Sequence, residues 1–250
     1  MGGPHGSLHR NRTDEAPTPG TPAVGVLTRR PGTDVYQPQE DSHLLRDELR
    51  DHDVSGVRVA DLCTGSGILA LEAALLGARS VLAVDSCPAA VTAAATLCLD
   101  APCPVQVELD DVTALTGYGL FDFLTCNPPY VPTPADPAEV RAAGPSHAWD
   151  AGTDGRDVID RLCATAPALL SPGGTMLLVQ SEFTGVTATL DALRRAGLYA
   201  EVARTRYIPF GPVLTSRATW LETTGLLESG RRVEELVVIR ADKPGTGIRR

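Results

Sequence analysis

At 250 residues, 43% hydrophobic and 21% charged, the chain has room for one large α/β domain with a real core, or two small ones. Its net charge of −9 gives no overall attraction to nucleic acid or anionic membrane, although Arg194, Arg195, Arg204, Arg206, Arg231, Arg232, Arg249 and Arg250 make the C-terminal third the more basic part. No apolar run is long enough to span a bilayer, and no hydrophobic stretch opens the chain as a secretory signal. The six cysteines show neither a CxxC pair nor ligand spacing with histidine, so reduced thiols, a cytoplasmic setting and no metal site are expected.

Residues 1–33 are rich in Gly, Pro, Ser, Thr and Arg without periodicity and are expected to be a disordered tail. From Gln39 the pattern becomes helical, with Leu44, Leu45 and Leu49 on one face and Glu40 and Asp41 in the first turn. Strands and helices then alternate. Strands are predicted over Val57–Leu62, Ser80–Val84, Val105–Leu109, Phe121–Cys126 and Gly174–Gln180. Helices are predicted over Gly67–Leu76, Pro88–Leu99, Asp157–Leu170 and Val186–Ala196. Val131–Thr153 reads as a long polar loop of the kind that tends to carry function. Leu198–Ile208 and Val233–Arg240 close the sequence as strands without a clear crossover helix between them. That pattern predicts a mostly parallel sheet with helices on both faces and an antiparallel edge. The expected domain spans 34–241, followed by a loose tail over 242–250.

Asn127-Pro128-Pro129-Tyr130 follows the buried strand Phe121–Cys126. Two prolines force a turn, which holds Asn127 at the carboxyl end of a strand, where open α/β sheets bind ligands. The Asn amide and the fixed carbonyls of Pro128 and Pro129 suit a planar –NH2 group, accepting its two N–H bonds and aiming its nitrogen. By themselves the four residues fit a Pro-rich turn somewhat better than a binding site.

Asp61-Leu62-Cys63-Thr64-Gly65-Ser66-Gly67 lies between the first strand and the next helix, where Gly65 and Gly67 permit a tight turn and close approach to a ligand. Asp85 ends the second strand, in position to accept hydrogen bonds from a ribose diol. Asp111, with Asp110 as its rival, is placed to accept from an adenine amino group beside Val112. Asp61 is placed to meet an amino acid moiety. No Lys or Arg in the loop would meet a pyrophosphate. Acids at three successive strand ends suit a positively charged cofactor without phosphates, and S-adenosylmethionine matches.

With these residues, and with Val35-Tyr36-Gln37-Pro38-Gln39-Glu40-Asp41-Ser42 and Trp149-Asp150-Ala151-Gly152-Thr153-Asp154-Gly155-Arg156, the chain resembles the HemK/PrmC family of release-factor glutamine methyltransferases. These are Rossmann-like class I S-adenosylmethionine-dependent enzymes. The resemblance covers about Val35 to Glu182, with an echo in Glu234-Glu235-Leu236-Val237-Val238, and is nearest to the short branch that lacks an N-terminal helical domain. It implies a seven-stranded, mostly parallel sheet with an antiparallel strand near the C-terminus. It implies that Asn127 and the Pro128 carbonyl hold a glutamine amide of a release factor's Gly-Gly-Gln loop beside Pro129 and Tyr130. Asp61, Asp85, Asp111, Ser42 and Asn127 then belong to the cofactor contacts. A small zinc-binding activating subunit serves the short branch. Two departures stand out: Cys63 replaces a smaller residue, and the segment from about Pro209 to Arg232 is longer, either as a packed insertion or as a lid or partner surface. Rival readings are a methyltransferase for exocyclic amines of nucleic acid, one for small molecules, and a cofactor-binding scaffold without turnover.

Overall fold

The structure, a computed structural model, describes residues 35–112, 114–136 and 146–246. The expected N-terminal tail therefore lies outside the described residues, as do the middle of the 131–153 loop and residues 247–250.

Helix α1 (Glu40–Arg50) precedes an alternation of β1 (Arg58–Leu62), α2 (Ile68–Leu75), β2 (Ser80–Asp85), α3 (Pro88–Leu97), β3 (Val105–Leu109) and β4 (Phe121–Cys126). After the long loop come α4 (Asp157–Leu169), β5 (Leu170–Ser181), α5 (Val186–Arg195), β6 (Tyr199–Pro209), α6 (Pro212–Thr223) and β7 (Val233–Asp242). The strands form one seven-stranded sheet in the order β3-β2-β1-β4-β5-β7-β6. Strands β3, β2, β1, β4 and β5 pair in parallel, whereas β7 runs antiparallel to both β5 and β6. The expected antiparallel strand is thus present, one place in from the edge.

Side chains alternate between two cores, as the period-2 geometry of a strand requires. In β2, Leu82 and Val84 join the cluster of α4 and α5 (Ile159, Leu162, Leu193), while Val81 and Ala83 join that of α1 and α2 (Leu44, Leu45, Leu69, Ala73). Burial on both faces explains why β2 and β4 read as continuous apolar runs.

Three expectations need correction. The 209–232 segment, expected without a helix, holds the 12-residue α6. Strand β5 begins at Leu170, with the Pro-Gly-Gly turn absorbed as an irregularity in its pairing with β4. Order at the C-terminus also continues past 241: β7 reaches Asp242, the Lys243 N–H donates to the Gly174 carbonyl at 2.9 Å, and Lys243 Nζ donates to Pro167 and Leu170 carbonyls at 2.7 Å each.

The sheet order reverses at β1, which has β2 on one side and β4 on the other. Crevices at such switch points, outside the carboxyl ends of the strands, are where open α/β sheets bind ligands. Leu62 pairs with Cys126, so the loop from Cys63 and the turn from Asn127 leave the sheet side by side.

Candidate active site

Two cavities meet at this switch point. The larger, about 320 Å³, is walled by Cys63–Ser66 of the first loop, Asp85 to Cys87 after β2, Asp110 to Val112 after β3, and Ser42 and Asn127. The smaller, about 180 Å³, lies under α6 among Pro128, Tyr130, Trp149, Gly211, Leu214 and Glu234. Asn127 belongs to both walls, as does Tyr36.

The larger cavity is built around Asp85. Its two carboxylate oxygens accept the Gly65 and Cys87 backbone N–H groups, each at 2.9 Å. Each oxygen keeps lone-pair capacity for a further donor, as a ribose diol requires. Four carboxylates on the wall (Asp85, Asp110, Asp111 and Asp150, the last paired with Arg217) and apolar Ile68, Leu69, Val112 and Val158 fit a cofactor with an adenine ring and positive charge. Arg161 also lines the cavity but is held by Asp111 at 3.3 Å. Asp110 and Asp111 both line the wall, so both rivals for the adenine contact reach the cavity.

Asp61 and Gly67 do not line it, a correction to their expected contact with cofactor. Asp61 is completely buried and accepts from Thr64 Oγ1 (2.6 Å), Thr125 Oγ1 (2.7 Å) and the Ala70 N–H (3.1 Å). Burial lifts its carboxyl to about 6 against the pull of those donors. Its work is internal, tying β1, the loop, α2 and β4 together. Gly67 sits at φ 87°, and a Cβ there would lie 2.9 Å from the Ala94 Cα, so the residue permits the close approach of α2 to α3. Cys63, the one non-glycine residue at positive φ (56°) among the described residues, carries the strain that a glycine would not.

The smaller cavity is bordered by a buried carboxylate whose contacts exceed the helix-dipole role expected of it. Asp41, 4% exposed, accepts from Tyr36 Oη (3.0 and 3.1 Å) and Tyr130 Oη (3.0 Å), and from the Ser42 N–H (2.6 Å). Burial and the adjoining Asp41 charge push the Tyr130 phenol far up, so it stays a donor. Asn127 Nδ2 donates to Ser42 Oγ at 3.1 Å, which fixes the amide and leaves Oδ1 with no partner among the described residues. Pro129 faces the larger cavity, while Pro128 and Tyr130 face the smaller. The structure therefore brings Ser42, Gly65, Asp85, Asp111, Val112, Asn127, Pro128, Pro129 and Tyr130 to the two cavities.

Sequence reasoning missed Arg217. This α6 residue is 1% exposed and donates from Nη1 to the Pro132 carbonyl (2.9 Å) and Thr133 Oγ1 (3.0 Å), and from Nη2 to Asp150. The long segment is thus a packed element that clamps the loop following Tyr130. Its own small core contains Val131, Trp149, Phe183, Leu214, Ala218 and Leu221. Gly155 locks the far end of that loop: at φ 73°, a Cβ would fall 2.4 Å from the Tyr130 carbonyl. His147 lines the larger cavity and not the smaller. Among the described residues no cluster of His, Cys, Asp and Glu is arranged for a metal, and no helix is long and apolar enough to cross a membrane.

Comparison with known proteins agrees with this geometry. The family model of ribosomal protein L11 methyltransferase (PrmA) matches residues 45–127, the cofactor half up to Asn127. Methyltransferase HEMK2 of Mus musculus is 36% identical over 202 residues, which are 76% of this chain and 92% of the mouse protein. A release factor glutamine methyltransferase of Mycolicibacterium smegmatis is 36% identical over 191 residues, covering 73% of this chain and 66% of the relative. Among solved structures, the Mtq2 chain of the E. cuniculi Mtq2–Trm112 complex superposes with a TM-score of 0.57 at 22% identity, over 84% of this chain and 99% of that one. A seven-stranded class I fold, a carboxylate-lined cavity joined to a second one through Asn127, and relatives above 30% identity matched over most of their length lead to one assignment: the chain belongs to the HemK/PrmC family of release-factor glutamine methyltransferases and is an S-adenosylmethionine-dependent N-methyltransferase.

Proposed function

We propose that this protein methylates the side-chain amide nitrogen of a glutamine in a protein, the Gly-Gly-Gln loop of a peptide chain release factor being the acceptor. The observation that carries the reading is the position of Asn127 on the wall shared by the two cavities, with Nδ2 held by Ser42 and Oδ1 without a partner among the described residues. S-adenosylmethionine, when bound, supplies an electrophilic methyl group on a sulfonium. Asp85 holds the ribose, Asp110 or Asp111 meets the adenine amine beside Val112, and the acids of the wall favour the cofactor's positive charge.

An amide nitrogen is a poor nucleophile because its lone pair is delocalised. Asn127 Oδ1 and the Pro128 carbonyl accept its two N–H bonds, raising electron density and aiming the nitrogen across the shared wall. These hydrogen bonds strengthen as the nitrogen becomes positive, so they favour the transition state over the ground state. Alignment of the two reactants would supply the remaining acceleration: the N–CH3 bond would form as the S–CH3 bond breaks, leaving a neutral thioether, and the amide proton would then pass to solvent water. Tyr130, fixed by Asp41, forms the side of the acceptor slot.

The nucleic-acid alternative draws no support from Arg204, Arg206, Arg231 and Arg232. Arg204 pairs with Glu48 and Asp51, Arg206 with Glu40 and Asp47, Arg231 with Glu182, and Arg232 with Glu222. The reading places the reaction in the cytoplasm and assigns it to residues 34–243. It includes a small activating subunit, by analogy with the Trm112 partner in the E. cuniculi complex. The test is incubation with labelled S-adenosylmethionine and release factors, in buffer and in an extract of the source cells, followed by mapping of the labelled residue. Label on the Gly-Gly-Gln glutamine is the expected result; label on nucleic acid or a small molecule would overturn the reading.

A further inference from the structure

The acceptor cavity contains two polar groups that the mechanism above does not use. Trp149, 8% exposed, and Glu234, 5% exposed, both line it. Trp149 Nε1 and Glu234 Oε2 are closed to solvent and have no hydrogen-bond partner among the described residues. Buried polar groups in native proteins are nearly always partnered, because leaving one unmade forfeits its hydration without replacement. Trp149 Nε1 and Glu234 Oε2 are two such groups, and they share the wall of one cavity.

Their chemistry is complementary. The indole N–H is only a donor, and a carboxyl oxygen is an acceptor. One donor and one acceptor match the C=O and N–H of a peptide backbone. The two groups come from separate elements. Trp149 sits on the loop that α6 covers, and Glu234 enters from β7 opposite Ile208 of β6. Asn127 and Pro128 line the same cavity and are reserved for the side-chain amide.

We propose that Trp149 and Glu234 form a backbone-reading subsite beside Asn127, which takes a peptide C=O and N–H next to the acceptor glutamine and so restricts the enzyme to glutamine within a polypeptide. The inference rests on the glutamine reading given above. Both atoms are closed to water in the free protein, so binding of a peptide requires the two side chains to turn into the cavity. Burial raises the Glu234 carboxyl to about 7, helped by the charges of Asp41 and Glu182 and opposed by the Ser181 hydroxyl and Arg231. Tyr36 and Tyr130 also line this cavity.

The test measures steady-state methyl transfer to a release factor by the full-length protein, under whichever of the two conditions above supports transfer, for wild type, Trp149→Phe and Glu234→Gln. Glu234→Gln keeps size and shape and alters one hydrogen-bonding atom, whereas Trp149→Phe removes the indole N–H together with part of a ring system packed in the core under α6. Loss of one such bond should raise KM for the release factor roughly three- to tenfold, with kcat and cofactor affinity within twofold, as for an interaction made equally in ground and transition states. Melting temperature of the free protein gives a second reading. Trp149→Phe loses buried ring area and should melt somewhat lower, so this reading serves to show that each variant is folded at the assay temperature. Unchanged KM in both variants would overturn the subsite while leaving the function intact. Failure of wild type on every glutamine acceptor would overturn the function and the subsite with it.

Discussion

The most demanding prediction concerns Arg217. Replacing it with Met keeps an apolar stem of similar length on α6 but removes the guanidinium. The side chain is 1% exposed and Asp150 is 31% exposed, so the pair is shielded on one side only. The Pro132 carbonyl and Thr133 Oγ1 lose a donor as well. Breaking a fully buried ion pair by removing one partner costs about 3–5 kcal/mol, and partial exposure of Asp150 argues for the lower end. At roughly 2–4 °C per kcal/mol for a domain of this size, Arg217→Met should melt about 6–12 °C lower. The functional effect should be selective. The clamp holds residues 131–133, which directly follow Tyr130, whereas Asp85 is positioned by Gly65 and Cys87. Turnover should fall by roughly tenfold or more while cofactor affinity measured by calorimetry changes little. A double-mutant cycle with Asp150→Asn, read by denaturation, should give a coupling of about 1–3 kcal/mol. A melting temperature within about 2 °C of wild type together with normal turnover would refute the clamp.

Asn127→Ala should lower single-turnover methyl transfer by roughly a hundredfold or more with only a few-fold change in cofactor affinity, and near-normal turnover would reduce the Pro-Pro turn to a structural element. Asp85→Ala should weaken S-adenosylmethionine binding roughly tenfold or more, because a charge-assisted hydrogen-bonding partner is lost; unchanged affinity in the folded variant would remove Asp85 from the ribose site. Glu234 predicts a pH effect on stability. Its folded value of about 7 lies above the ordinary 4.5, so the folded state binds the proton more tightly. Stability from this group is therefore full below about pH 4.5 and is lost as pH rises to about 7, amounting to about 3 kcal/mol. Asp61 acts in the same direction, so the comparison that isolates Glu234 is wild type against Glu234→Gln in urea titrations from about pH 4.5 to 8. Parallel curves would show that the carboxyl does not change charge in that window.

Much of this site was legible because its signals are local. Asn127-Pro128-Pro129-Tyr130 carries its turn in its own prolines, and Asp85 is marked by the apolar run before it. Other residues were not legible because burial is not a local property. Asp61 has the same sequence setting as Asp85, a carboxylate late in a β-strand, yet three donors enclose it and Asp85 alone of the two reaches the cavity. Helix α6 was hidden for a related reason. Its buried positions, Leu214, Arg217, Ala218 and Leu221, follow helical spacing, but an arginine within the stripe breaks the apolar pattern. Pro212, in a Pro-Phe-Gly-Pro run with the character of a turn, is the first residue of that helix, where proline is favoured.

The sequence by itself determined the alternation of strands and helices, hence the parallel sheet, and the chemistry available at the strand ends. These follow from periodicity and side-chain type, which act within a few residues. The tertiary structure alone decided which acids face the cavity and which are consumed inside the core. It also decided that α6, far beyond the acceptor turn in sequence, returns to hold the loop behind it through Arg217. The physical reason is that desolvation and hydrogen-bond completion depend on every element packed around a group, and a single stretch of sequence carries only one of them.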